Sequence, residues 1–96
     1  MEVSNTILNL LVKLCNIRKK LRWQIHCSQV DGEGQAIFNI FLYDISSNVL
    51  KGSIAFQQGS HQVTNFRYAG YGLESTDNVI DLLLDLINYE KSCLSV

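Results

Sequence analysis

The chain is 96 residues long, 47% hydrophobic and 18% charged, with a formal net charge of −1 and no proline. That balance argues against disorder, whose signature is low hydrophobicity with high net charge. A chain of this length forms a single domain, 1–96, that buries roughly 65% of its unfolded surface. Without proline or a Gly/Ser-rich stretch there is no sign of a linker.

Ser4 precedes a segment in which Val3, Ile7, Leu10, Leu14, Ile17 and Leu21 recur at spacings of four and three. Leu8, Leu11, Val12 and Cys15 widen the stripe, while Asn5, Asn9, Lys13, Asn16 and Lys20 lie opposite, so the spacing predicts an amphipathic helix. Arg18, Lys19, Lys20 and Arg22 crowd its C-terminal turn, where cations complement the helix dipole. From Arg22 the period becomes two. Trp23, Ile25 and Cys27 alternate with Gln24, His26 and Ser28, and Asp31-Gly32-Glu33-Gly34 reads as a hairpin turn.

The second strand, Gln35 to Tyr43, has Ala36, Phe38, Ile40 and Leu42 on one face and Ile37, Asn39, Phe41 and Tyr43 on the other. Both faces are largely apolar, which predicts a central strand. After a turn at Asp44–Asn48, a third strand places Leu50, Ile54 and Phe56 on one side and Lys51, Ser53, Ala55 and Gln57 on the other. Gln58-Gly59-Ser60 turns the chain into a fourth strand from about Gln62 to Ala69. Gly70-Tyr71-Gly72 breaks it. Ser75 or Thr76 can then cap a helix whose apolar face is Val79, Ile80, Leu83, Leu84 and Ile87, with Asp77, Asp81 and Asp85 opposite.

The predicted fold class is therefore α+β, in the order α-β-β-β-β-α: an antiparallel meander with both helices on one sheet face. The other face is left open. It would display His26, Ile37, Phe41, Tyr43, Lys51, Asn65 and Arg67, more aromatic and aliphatic surface than a solvated sheet needs.

Charge is unevenly placed: residues 1–30 hold five Lys or Arg against Glu2, and residues 73–96 hold five acids against Lys91. Three cysteines, Cys15, Cys27 and Cys93, form an odd number without CxxC spacing, which fits neither a disulfide framework nor a zinc site. The first residues lack the pattern of a signal peptide, no run is long enough to span a bilayer, and the expected localisation is cytoplasmic. Cys93-Leu94-Ser95-Val96 has the position of a prenylation signal, but Ser95 replaces an aliphatic residue and the preceding helix is acidic.

No catalytic, cofactor or metal-binding residue set is assigned. His26 and Cys27 are strand neighbours and point to opposite faces, so they do not serve one substrate together; Cys27 reads as a buried small hydrophobe and His61 as a solvated turn residue. Gly70-x-Gly72 before a helix lacks the third glycine of a phosphate turn, and Glu74 and Asp77 would repel an anion there.

The pattern Gly52-x-Ile54-x-Phe56-x-x-Gly59, followed by an extended stretch and the apolar helix Val79 to Ile87, distantly resembles PATAN-type adaptor domains of bacterial signalling proteins over the last half of the chain. It departs from them at His61 and in the large aromatics before the helix. What it implies is protein binding.

The expected function is a small, non-enzymatic interaction or adaptor module acting on another protein or on itself as a homodimer. The expected contact face is Ile37, Phe41, Tyr43, Lys51 and Arg67. The alternative is a single-stranded nucleic-acid binder that stacks bases on Phe41 and Tyr43, with Arg18, Lys19, Lys20 and Arg22 as a basic contact patch. The net charge and the acidic second helix count against it. An enzyme with an unrecognised site is the third reading.

Overall fold

A computed structural model describes residues 3–17, 21–30, 34, 36–69 and 77–94. In chain order these form helix α1 (Asn5–Ile17), strands β1 (Leu21–Val30), β2 (Ala36–Asp44), β3 (Leu50–Gln57) and β4 (Val63–Tyr68), and helix α2 (Val79–Leu94). The strands make one antiparallel sheet in the order β1-β2-β3-β4. Arg18, Lys19, Lys20, Asp31-Gly32-Glu33, Gly70-Tyr71-Gly72, Ser75 and Thr76 lie outside the described residues.

Helix α1 begins where expected, because the Ser4 hydroxyl accepts the Thr6 N–H at 3.2 Å and its carbonyl accepts the Leu8 N–H at 3.1 Å. The described helix runs to Ile17, and Leu21, which the apolar spacing would add to it, lies in β1. Leu21 satisfies both the helical and the strand period; it opens β1, where it is buried and pairs with Asp44, and Arg22 follows it into the strand. Ile7, Leu10, Leu11 and Leu14 make the buried stripe. Val12 lies about 150° around the helix from that stripe and is 47% exposed.

On β2, alternate residues Ala36, Phe38, Ile40 and Leu42 are buried. They join Ile54 and Phe56 of β3, Tyr68 of β4 and the apolar stripes of both helices in one core, so the helices share one side of the sheet. Each Leu, Ile or Phe fully withdrawn from water there contributes about 1.5–3 kcal/mol.

Helix α2 is rotated from the sequence expectation. Its buried apolar residues are Val79, Leu82, Leu83, Leu86 and Ile87, while Leu84 is 44% exposed. Leu82, Leu83 and Leu84 are consecutive, so two overlapping stripes are nearly equally apolar and packing selects between them. The N-cap is Asn78, whose side-chain oxygen accepts the Ile80 N–H at 2.8 Å. The helix start is tied to the sheet, since Val79 N–H donates to the His61 carbonyl at 2.9 Å and Val63 N–H donates to the Asp77 carbonyl at 2.7 Å.

Candidate functional site

The face opposite the helices is built by register. Arg22 pairs with Tyr43 and Tyr43 with Leu50; Gln24, Phe41, Ser53 and Arg67 make the next row; His26, Asn39, Ala55 and Asn65 the next; and Ile37 pairs with Gln57. Ile37, Phe41 and Tyr43 are half-buried although no described element covers this side, because their neighbours on the flanking strands close around them. The Arg22 guanidinium lies 4.4 Å from the centre of the Tyr43 ring and donates to the Asn48 side-chain oxygen at 2.6 Å. His26 lies against Phe41 with ring centres 5.7 Å apart. The two arginines of the face, Arg22 and Arg67, stand on its edge strands, and its centre is uncharged.

Lys51 is not on this face. The register between β2 and β3 shifts at Leu42/Tyr43, so Leu42 pairs with Gly52 and Tyr43 with Leu50, skipping Lys51. A bulge of this kind re-aims the side chains beside it. Leu50 is placed on the open face, 49% exposed, and the Lys51 ammonium turns to the helix side. There it lies 5.3 Å from the centre of the Tyr68 ring and 4.0 Å from a Glu90 carboxylate oxygen. Of the residues read from the sequence as a contact face, Ile37, Phe41, Tyr43 and Arg67 share one surface, and Lys51 belongs to a different cluster.

Glu90 was missed by the sequence reading. It is 1% exposed, and the Tyr68 hydroxyl donates to its Oε1 at 2.7 Å. The signal was present, since Leu83, Ile87 and Glu90 follow the four-three spacing of the buried stripe. An acid at such a position needs partners, because an unpaired buried carboxylate is costly. Gly52 makes room for this cluster: a Cβ there would stand 2.8 Å from the Arg67 carbonyl oxygen and 3.5 Å from a Tyr68 ring carbon.

Two further expectations are corrected. Cys27 is exposed, not buried. The core-facing side of β1 is only partly covered, and Trp23, Ile25 and Cys27 border a cleft of about 580 Å³ beside Val3, Leu8 and Phe38. His61 is half-buried with φ 59°, its ring edge-on to Phe56 with centres 6.3 Å apart.

Electrostatic perturbation is local. The Ser46 hydroxyl and the Ser47 and Ser46 N–H groups donate to the Asp44 carboxylate at 2.6, 3.2 and 2.9 Å and hold it below the usual 3.8. Burial pushes the Cys15 thiol from 9.0 up to about 11. Among the described residues no three His, Cys, Asp or Glu converge as metal ligands, and no helix is long and apolar enough to cross a membrane.

The fold and this face define a two-layer α+β domain with one sheet surface uncovered by any described element. No protein family, curated protein or solved structure matches the chain.

Proposed function

We propose that the chain is a non-enzymatic protein-interaction module that pairs with a second copy through the open sheet face. The observation that carries this reading is the apolar spine of Ile37, Phe41, Tyr43 and Leu50, with Ile45 and Val49 of the adjoining turn 54% and 60% exposed. Next to the large Phe41 of β2 lies the small Ser53 of β3, with the small Ala55 two residues along β3, opposite Asn39. A two-fold axis can set the ridge of one copy over the hollow of the other, the self-complementarity an isologous contact requires. Charge at the edges with none at the centre matches the polar rim and uncharged core of protein interfaces.

The area sets the strength. The four strands, at about 4.8 Å spacing and about seven residues of 3.3 Å rise, give a plane of roughly 440 Å². That is below the ~800 Å² per partner of a standard interface. Association through the sheet is therefore weak, micromolar or above, unless the Ile45–Val49 turn joins it.

A second reading, single-stranded nucleic-acid binding, is favoured by one observation: Arg22 and Arg67 flank the aromatic residues, and no carboxylate lies in the rows of this face. Against it, Arg22 already covers the Tyr43 ring that a base would stack on. Amide spectra recorded over a range of protein concentrations test the two. Shifts at Ile37, Phe41, Tyr43 and Ser53 that grow with concentration and vanish in Phe41→Glu support pairing. Resonances of β2 and β3 that ignore concentration refute it, and shifts driven by a single-stranded oligonucleotide and suppressed by salt establish the alternative.

A further inference from the structure

On the other side of the molecule, α1 and α2 enclose a groove of about 360 Å³. Ile17 and Ile87 line it together with Leu84, and Lys13, Asn88 and Lys91 supply its polar borders. Among the described side chains of α2, Leu84 is a large apolar one exposed to solvent, at 44%. It stands among the exposed residues Asp81, Asn88 and Lys91 at spacings of three, four and three. An aliphatic side chain bordered by a carboxylate is what such a groove, apolar within and cationic at its borders, would receive.

The chain itself carries that element. If two copies of α2 cross antiparallel about the level of Leu86, Asp81 faces the second copy's Lys91 and Lys91 faces the second copy's Asp81. Leu84 then faces the second copy's Asn88, at the mouth of the groove. The two ion pairs would stand about 15 Å apart along the helix, with the two leucines between them. The monomer also gains from such pairing, because Asp81 and Asp85 are like charges at i and i+4, an arrangement that weakens a helix by a few tenths of a kcal/mol unless a cation approaches.

We propose that this helical groove is a self-docking surface, occupied by Leu84 and Asp81 of a second copy, and distinct from the open sheet face. With two isologous surfaces on opposite sides of one chain, association need not stop at a dimer, and the assembly grows by alternating sheet and helix contacts.

The test exploits charge exchange. Asp81→Lys and Lys91→Asp each place like charges across the docking surface when the variant meets itself, whereas a mixture of the two restores an attractive pair at both ends. Both positions are exposed, and circular dichroism checks that each variant keeps the wild-type fold. Sedimentation of each variant alone and of the mixture should show the mixed pair associating at least about tenfold more tightly than either alone, with the preference shrinking as salt rises. Leu84→Ser should weaken self-association of the wild type. A mixture no tighter than its components, or a Leu84→Ser protein with unchanged affinity, overturns the proposal. The sheet face is identical in all these proteins, so failure of sheet pairing would leave the comparison intact.

Discussion

Replacing Tyr68 by phenylalanine removes a single hydroxyl, and the structure sets what that should cost. The hydroxyl donates to Glu90 at 2.7 Å, and Glu90 is 1% exposed, so water has little access to take its place. A hydrogen bond to a charged group contributes about 1.5–3 kcal/mol, and at a buried acceptor water does not readily replace the donor removed. For a domain of this size each kcal/mol moves the melting temperature by about 4–8 °C, so Tyr68→Phe should lower it by roughly 6–24 °C. Urea unfolding followed by the fluorescence of Trp23, the single tryptophan, gives the free energy directly. Glu90→Leu removes the acceptor together with its charge. It leaves the Lys51 ammonium, whose side chain is 16% exposed, able to turn to water. Tyr68→Phe should therefore cost at least about 1 kcal/mol less in the Glu90→Leu background than in the wild type. A loss under about 0.5 kcal/mol, the range of ordinary surface substitutions, or a cycle with no coupling, would refute the assignment of Tyr68 as the donor that makes the buried carboxylate tolerable.

Gly52→Ala should destabilise by about 1–3 kcal/mol in the same assay, because its Cβ meets backbone, which cannot swing aside as a side-chain tip can; wild-type stability would mean that β3 and β4 separate without cost. Native thiol titration at pH 8 should find Cys27 and Cys93 fast and Cys15 slow, since a thiol at about 11 instead of 9.0 holds about 100-fold less thiolate at that pH. Three equally fast thiols would contradict the burial of Cys15. Asp44 binds its proton less readily when folded, so its contribution to the β2–β3 turn is complete above 3.8 and is lost as pH falls through the depressed folded value. Amide exchange at Ser46 and Ser47 should accelerate in that acid range, and the acceleration should be absent in Asp44→Ala; its persistence would place the effect elsewhere.

Much of the architecture follows from local pattern. Alternation from Ala36 to Tyr43 assigns each side chain to a face because the strand period is two, whatever the rest of the chain does. Two apolar sets on one strand favour a place between two other strands, and β2 is internal to the sheet. The open face was legible for the same reason: four strands in succession and two terminal helices place Phe41, Tyr43 and Arg67 on the side away from the core.

Other features depend on contacts between elements. Leu82, Leu83 and Leu84 offer α2 two stripes of similar hydrophobicity, and only docking against α1 and the sheet sends Leu82 and Leu86 inward and Leu84 out. Leu21 suits a helix or a strand, and pairing with Asp44 decides. The exchange of Leu50 and Lys51 between faces comes from a one-residue bulge, a property of how β3 aligns with β2 and not of either strand alone. Once that bulge aims Lys51 at the helices, Tyr68 and Glu90 have a cationic neighbour, and an acid that the sequence places on an apolar stripe becomes part of the core. Periodicity is carried by covalent neighbours and can be read along the chain; register and helix rotation are set by packing across it, where residues far apart in sequence compete for the same space.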